Sequence, residues 1–238
     1  MKPSTGFTAV VLAGGQGSRL LPHTAEIPKP LVPVGERPIV EYLLKRLKKS
    51  GITRVVMAVN HMADLIEAQL GDGSRLGIEI TYSREAEPLS TVAPLKLIDD
   101  LPDNFIVANG DVLTDLDIAA VYDRHCRNHA VLTVAVYHRT EKIDYGAMEL
   151  APDNRVTSFR EKPEYSFDVS MGIYVFARRA LDFVPDRRPF GFDQLMFKLL
   201  EQRQKVMAYP YDGYWLDIGR PSDYRQAQED IERIKSLW

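Results

Sequence analysis

Short apolar runs of strand length alternate with amphipathic helical patterns through the first 137 residues. The apolar runs span 7–13, 55–60, 78–83, 105–109 and 131–137, and the helical patterns between them span 39–50, 62–70, 91–100 and 116–128. Strands that are apolar on both faces must be covered on both sides, which is typical of a mostly parallel sheet between helices. The pattern therefore predicts an α/β fold.

The pattern changes after about residue 140, where short strands become more frequent. Segments 147–150 and 156–160 flank the turn signal Pro-Asp-Asn and predict a β-hairpin. A strand at 171–176 and helices at 193–204 and 221–237 follow. Since no linker or repeat is present, we predict one domain, 1–238, with a nucleotide-binding half at about 7–137, an inserted β-rich half at about 138–220 and a C-terminal helix at 221–238.

Composition narrows the class of partner. The chain has 238 residues and a formal net charge of −3, so no global basic field attracts nucleic acid or an anionic membrane. The single cysteine, Cys126, excludes a disulfide framework and a multi-thiolate metal site, and we interpret it as an ordinary helix residue. Residues 1–6 do not resemble a signal peptide, and no apolar stretch reaches membrane-spanning length, so we expect a cytoplasmic protein.

The segment 12–31, LAGGQGSRLLPHTAEIPKPL, carries the strongest functional signal. A buried strand leads directly into Gly14, Gly15 and Gly17, which allow the backbone to turn sharply and to bring N–H groups close to a phosphate or a base. Arg19 can bind phosphate oxygens bidentately. Lys29 stands between two prolines, which restrict the backbone around it. Together these residues predict a phosphate-binding loop.

Two common glycine loops do not match this segment. The P-loop needs lysine after Gly17, and the dinucleotide motif GxGxxG needs glycine in place of Leu20. Instead, the segment resembles GGxGxRLxPxTxxxPKP, the signature of the sugar-1-phosphate nucleotidyltransferases. Further matches extend the resemblance over most of the chain, from Phe7 to Tyr224: Asn109-Gly110-Asp111, Phe159-Arg160-Glu161-Lys162-Pro163, Met171-Gly172-Ile173-Tyr174 and Trp215-Leu216-Asp217-Ile218-Gly219.

The resemblance implies a fold, a reaction and a cofactor. The fold is a Rossmann-like three-layer sandwich with a mixed, mostly parallel sheet, in which the inserted β-rich part binds the sugar. The reaction transfers a nucleoside monophosphate from a nucleoside triphosphate to a sugar 1-phosphate, releases pyrophosphate and requires Mg²⁺. No protein nucleophile is needed because the attacking phosphate is already anionic, so catalysis rests on positioning and on neutralisation of charge.

The resemblance also implies roles for residues. Arg19, Lys29 and Lys162 are the expected catalytic cations, the first two at the triphosphate and the third at the sugar phosphate. Asp111 and Asp217 are the expected ligands of Mg²⁺, which takes one or two protein carboxylates and completes its shell with phosphate and water. The expected sugar-phosphate contacts are Gly146, Glu161, Lys162 and Gly172. The expected nucleotide contacts are Leu12, Ala13, Gly14, Gly15, Gly17, Ser18, Arg19, Glu85, Ser90, Asn109, Gly110 and Asp111.

The nucleobase pocket departs from the family pattern at two positions. Ser90 stands where the family has the glycine of Leu-Gly-Thr, and His23 stands where leucine is common. Glu85 occupies the base-reading position, and a carboxylate could accept hydrogen bonds from both N1–H and N2–H₂ of guanine. This segment resembles mannose- and heptose-1-phosphate guanylyltransferases. We therefore favour GTP, with UTP or CTP as alternatives.

Two interpretations from other classes stay open. A non-catalytic regulatory subunit would be indicated by loss of Asp111, Asp217 or Lys162, all of which are present. A related glycosyltransferase commonly has an Asp-x-Asp metal motif, which Asp115 and Asp117 fit, but the lysines of the PKP and EKP segments have no role there. We interpret both of these aspartates as caps of the next helix. A homodimer is among the expected assemblies, and we expect no C-terminal β-helix.

Overall fold

The computed structural model describes residues 7–237, so the interpretation of residues 1–6 lies outside the described range. Within it, strands β1 to β13 are Phe7–Leu12, Pro33–Val34, Arg37–Pro38, Ile52–Val59, Glu79–Arg84, Asn104–Asn109, Val112–Thr114, Leu132–Lys142, Ala147–Leu150, Val156–Arg160, Glu164–Ala177, Val206–Tyr211 and Trp215–Asp217. Helices α1 to α6 are Ile39–Lys49, Ala63–Leu70, Ile118–Asn128, Phe192–Glu201, Pro221–Glu229 and Ile231–Leu237.

Seven strands form a central sheet in the order β12-β8-β11-β6-β1-β4-β5. Strands β5, β4, β1 and β6 are parallel to one another, and β12 is parallel to β8. Strand β11 is antiparallel to both of its neighbours, β6 and β8. The predicted mixed, mostly parallel α/β sheet is confirmed.

Apolar side chains are buried on both faces of this sheet, and β1 shows why its run is apolar throughout. Ala9 and Val11 belong to the core shared with α1, α2 and α3, whereas Val10 belongs to the core shared with α4. A third apolar cluster joins α5 and α6 to segment 20–42 and to residues 214–218. This third cluster holds the C-terminal part of the chain against the segment that follows the glycine loop.

The predicted helix at 91–100 is wrong. Only Ala93–Leu97 turns, as a 3₁₀ helix. Pro94 has no N–H to donate, and the N–H of Val92 donates instead to the carbonyl oxygen of Phe190 at 3.0 Å. A tertiary contact therefore replaces the helical hydrogen bonds that the local pattern predicts.

Two other helix predictions are corrected in part. The predicted C-terminal helix is divided into α5 and α6 at Asp230, which has ψ of 4°. Asp117 caps α3 as predicted, since its Oδ1 accepts hydrogen bonds from two N–H groups of the first turn. The cap prediction for Asp115 is wrong. Its Oδ1 accepts hydrogen bonds from the Tyr211 hydroxyl and the Tyr214 N–H, which ties β7 to the segment between β12 and β13.

Strands β8 and β11 continue beyond the sheet, next to the β9–β10 hairpin that the sequence predicts. The sheet ends of both strands are buried, whereas their outer parts are mostly exposed. The register between them shifts between Ser170 and Tyr174, around Gly172 with φ +73°. We refer to residues 138–170 as the arm.

Two simpler observations concern the helices. Cys126 lies in α3, as predicted, and its side chain is half-buried with a free thiol. None of the helices in residues 7–237 is both long enough and apolar enough to cross a membrane.

Candidate active site

A cleft of about 460 Å³ opens at the carboxyl ends of β1, β4 and β6. This edge is the usual ligand-binding edge of an open α/β sheet, and the volume is typical of small-molecule pockets. All of the predicted nucleotide contacts line the cleft, as does Lys29. The glycine loop, the strand ends and segment 85–94 therefore meet around one cavity.

The loop after β1 is shaped by close contacts at two glycines. Gly17 has φ +65°, and its carbonyl oxygen accepts a hydrogen bond from the Thr24 hydroxyl at 2.9 Å. A Cβ at Gly14 would lie 2.9 Å from Oε1 of Glu85, closer than real contacts allow. Arg19 follows in the next turn and is exposed, so its guanidinium is accessible to an anion in the cleft.

Lys29 and Asp111 form an ion pair inside the cleft. Their side chains are 12% and 20% exposed, so the pair is largely shielded from water. Lys29 donates to Oδ2 of Asp111, whereas the buried Oδ1 has no hydrogen-bond partner within residues 7–237. A buried carboxylate oxygen without a partner is costly, so this oxygen is available to a ligand or a cation.

The short antiparallel ladder between β7 and β13 places Asp217 beside Asp111. The N–H of Ile218 donates to the backbone oxygen of Asp111 at 3.2 Å, which fixes the separation of the two segments. Solvent reaches the Asp217 carboxylate, but partial burial and the charge of Asp111 raise its pKa to about 6. A carboxylate whose pKa is raised by a neighbouring carboxylate lies in a site that favours a cation.

These two aspartates fit a Mg²⁺ site that is completed by substrate. No group of three or more His, Cys, Asp or Glu side chains in the described part of the chain is placed to hold a metal ion. Mg²⁺ usually binds one or two carboxylates and keeps water and phosphate oxygens in its other positions. The partnerless oxygen of Asp111 and the carboxylate of Asp217 are ligands of this type.

Glu85 lies in the wall of the cleft directly after β5. Its Oε2 accepts a hydrogen bond from the Leu89 N–H at 2.8 Å, and its backbone oxygen accepts one from the side-chain amide of Asn60 at 3.2 Å. Burial raises the pKa of Glu85, and the Leu89 N–H opposes this shift. Oε2 of Glu85 is thus hydrogen-bonded to the Leu89 N–H, and Oε1 lies near Gly14. A base that binds both carboxylate oxygens must therefore share Oε2 with the Leu89 N–H.

Of the two departures from the family pattern, only Ser90 lines the cleft. Ser90 has φ +70°, the left-handed conformation that glycine adopts without strain. The residues next to Ser90 form hydrogen bonds with segment 190–192: the N–H groups of residues 92 and 93 donate to the Phe190 carbonyl oxygen, and the Phe192 N–H donates to the Thr91 hydroxyl. The Ser90 hydroxyl would be 3.2 Å from a Cβ at Gly191. His23 packs instead on the ring of Tyr224, with ring centroids 4.4 Å apart. The backbone of the base-reading segment therefore keeps its glycine-like shape.

The predicted sugar-phosphate contacts divide between the arm and the cleft. Glu161 and Lys162 are exposed on the arm, and Lys162 has φ +46°. A Cβ at Gly146 would lie 2.6 Å from an aromatic ring of β10, so packing of the hairpin alone explains this glycine. Gly172 lies against the cleft, where a Cβ would be 2.7 Å from the side-chain amide nitrogen of Asn109. None of these four residues is in the cleft lining, although Gly172 contacts the lining residue Asn109.

Among the cleft residues to which the sequence analysis assigned no role are Asn60, Thr91 and Gly219. Asn60 ends an apolar strand in the same way as Asn109, so its position at the carboxyl edge was the signal that could have revealed it. Thr91 and Gly219 lie at the cleft next to segments that are distant in sequence, Phe192 for Thr91 and Arg19 for Gly219. A Cβ at Gly219 would be 3.9 Å from the guanidinium of Arg19, which places the C-terminal segment at the glycine loop.

The family model described as Nucleotidyl transferase matches residues 8–234. Because this match covers nearly the whole chain, the protein belongs to the nucleotidyl transferase family.

Three relatives with assigned names show the range of this family. The chain is 33% identical to mannose-1-phosphate guanylyltransferase of Mycobacterium tuberculosis, over 94% of this chain and 64% of the relative. It is 31% identical to UTP–glucose-1-phosphate uridylyltransferase of Synechocystis, over 92% and 62%. It is 32% identical to D-glycero-alpha-D-manno-heptose 1-phosphate guanylyltransferase of Aneurinibacillus thermoaerophilus, over 94% and 98%. The chain thus spans less than two thirds of the first two relatives.

A solved structure supports the same fold. HddC from Yersinia pseudotuberculosis is 27% identical, with a TM-score of 0.72 over 94% of this chain and 99% of that one. The same protein complexed with GMP-PN has a TM-score of 0.71. The likeness confirms the α/β fold that the sequence predicts.

Proposed function

We propose that this chain transfers GMP from GTP to a sugar 1-phosphate and releases pyrophosphate. The observation that carries the proposal is the cleft in which the glycine loop meets the shielded Lys29–Asp111 pair, with Asp217 beside Asp111 on the adjoining ladder. Relatives named as mannose- and heptose-1-phosphate guanylyltransferases support it, as does the GMP-PN complex of HddC. The relative named as a uridylyltransferase keeps UTP as the alternative.

The proposed reaction is an in-line displacement. A nonbridging oxygen of the sugar 1-phosphate forms a bond to the α-phosphorus of GTP as the bond from that phosphorus to pyrophosphate breaks. Arg19 and Lys29 bind the triphosphate and offset the charge that develops on its oxygens, and the N–H groups of the glycine loop face the phosphates. The ion pair with Asp111 holds the Lys29 ammonium in the cleft before substrate arrives.

Asp111 and Asp217 would hold Mg²⁺ in this proposal. When bound, the ion neutralises negative charge on phosphoryl oxygens. The partnerless Oδ1 of Asp111 supports the assignment because the protein supplies this buried oxygen with no other cation or donor within the described residues.

The arm is the proposed sugar side of the site. Lys162 would bind the incoming phosphate, and Glu161 would accept hydrogen bonds from sugar hydroxyls. The left-handed backbone of Lys162 supports a functional role, since residues held in sparsely populated conformations cluster at ligand-binding sites. Gly172 connects the two sides, because it lies at the base of the arm against Asn109.

A substrate panel tests the proposal. Pyrophosphate release is measured for GTP, UTP, CTP, ATP and dTTP, each with mannose, heptose and glucose 1-phosphates. We expect release to be fastest with GTP and a manno-configured sugar phosphate. Fastest release with UTP would favour the alternative, and nucleotide binding without any release would favour a regulatory subunit. The expected homodimer and cytoplasmic location stay predictions, which light scattering and cell fractionation test.

A further inference from the structure

A second cavity, of about 640 Å³, lies on the exposed side of α1. Its lining consists of Leu76 and five basic residues: Arg37, Lys45, Lys48, Lys49 and Arg75. Helix α1 ends at Lys49 just before β4 begins, and Leu76 precedes the first residue of β5 by three positions. Lys48, Lys49 and Leu76 therefore lie near the amino ends of β4 and β5, at the opposite edge of the sheet from the cleft, and the two cavities share no lining residue.

A buried carboxylate fixes the two arginines of this cavity. The Glu41 side chain is 3% exposed and forms ion pairs with Arg75 at 2.5 Å and with Arg37 at 3.6 Å. One negative charge between two half-exposed guanidinium groups leaves a net positive charge. Arginine held in this way presents forked donors, which suit the bidentate binding of phosphate oxygens.

Lys45 and Lys48 add positive charge, and neither forms an ion pair with a carboxylate among residues 7–237. Lys48 donates a hydrogen bond to the backbone oxygen of Leu76 at 2.9 Å, and this bond holds its ammonium group over the turn before β5. Lys45 has no hydrogen bond or ion pair to any of residues 7–237. Burial and the neighbouring Arg37 lower the pKa of Lys45, and the Glu41 carboxylate opposes this shift. A bound anion would offset this repulsion.

We propose that this second cavity binds a small anion with two or more phosphate groups, from free pyrophosphate or from a nucleotide. Its volume suits a molecule of that size. A long polyanion fits less well, because a chain with a net charge of −3 provides no extended basic field around the cavity. The inference is independent of the proposed function, since it uses none of the cleft residues.

Residue-resolved NMR can test this site separately from the cleft. ¹⁵N-labelled protein is titrated with inorganic pyrophosphate and, in a second series, with GDP. Backbone amides of residues 74–77 report the second cavity, and those of residues 14–17 report the cleft. The test variant is K45Q/R75Q, and the control is R127Q/K205Q, which makes the same charge change on exposed side chains elsewhere. The single variant K45Q leaves both ion pairs of Glu41 intact.

We expect saturable shifts at residues 74–77 in the wild type. K45Q/R75Q should weaken the apparent affinity at these amides by about tenfold or more, as for a lost charge-assisted hydrogen bond, and K45Q by about threefold. Shifts at residues 14–17 should persist in every variant, and the control should match the wild type.

The proposal is overturned if the shifts of residues 74–77 do not saturate below about 10 mM, or if the control weakens binding equally. Tighter binding of a single-stranded oligonucleotide than of pyrophosphate at these amides would also overturn it. A stronger response to GDP than to pyrophosphate would identify a nucleotide as the source of the phosphates, and the reverse would identify free pyrophosphate.

Discussion

The cleft and the arm hold the two parts of the proposed site in different environments. In the cleft, Lys29 is shielded and paired with Asp111, which lies between β6 and β7. On the arm, Glu161 and Lys162 are exposed. Electrostatic interactions are stronger in a shielded site and are screened by salt on an exposed one. The cleft should therefore govern the chemical step, whereas the arm should mainly govern binding of the second substrate.

The largest expected effect is loss of the carboxylates of the cleft. D111N and D217N should each lower kcat by about a hundredfold to a thousandfold, the range seen when a group that stabilises transition-state charge is removed. Pyrophosphate release at saturating Mg²⁺ measures this effect. D117N is the matched control, because asparagine also caps helices and activity should be unchanged. Near-normal turnover by D111N or D217N would refute their assignment.

The next comparison uses one lysine from each region. K29A should lower kcat by about a hundredfold because a charge-stabilising group is lost from the shielded cleft. K162A should mainly raise the KM for the sugar phosphate, by about tenfold, since a charge-assisted contact to that substrate is lost. Steady-state kinetics with each substrate varied separates the two effects. R155A, an exposed arm variant, should change neither constant. An unchanged sugar-phosphate KM and kcat in K162A would remove Lys162 from the site.

A smaller effect, confined to one nucleotide, is expected at Glu85. E85Q should place an NH₂ group opposite the donors of guanine and lower kcat/KM for GTP by about ten- to a hundredfold, while UTP changes less. The experiment compares kcat/KM for five triphosphates. E87Q makes the same chemical change two residues away, at an exposed position, and should have no effect. Unchanged GTP efficiency in E85Q would show that Glu85 does not read the base.

The smallest effect concerns the backbone of the cleft wall. S90G should relieve about 1 kcal/mol of left-handed strain and lose about half of that to greater freedom of the unfolded chain. The net gain of about 0.5 kcal/mol corresponds to a Tm increase of about 1–2 °C, which calorimetry measures. R203G, at another left-handed position with φ +50°, is the control and should behave alike. A clear loss of stability in S90G alone would show that the Ser90 hydroxyl holds segment 190–192.

Much of the nucleotide side could be predicted from local pattern. The strand before Gly14 and the strand before Asp111 are apolar because each is buried on both faces, and both lead to the carboxyl edge of the sheet. A glycine-rich turn and a polar strand end are properties of a few consecutive residues. The sequence could therefore indicate which residues line the cleft before the pairing of the strands was known.

The sequence by itself determined the α/β alternation, the glycine loop and the hairpin of the arm, because each depends on neighbouring residues. Only the tertiary structure decided which distant segments meet. Oδ1 of Asp115 accepts a hydrogen bond from the N–H of Tyr214, which is 99 positions away. The adjoining ladder between β7 and β13 places Asp217 beside Asp111. Segment 190–192 forms hydrogen bonds with Leu89 and with residues 91–93, which flank Ser90, and these bonds replace the helix that the pattern at 91–100 predicts. These outcomes depend on hydrogen bonds between strands and loops far apart in the chain, which no local pattern contains.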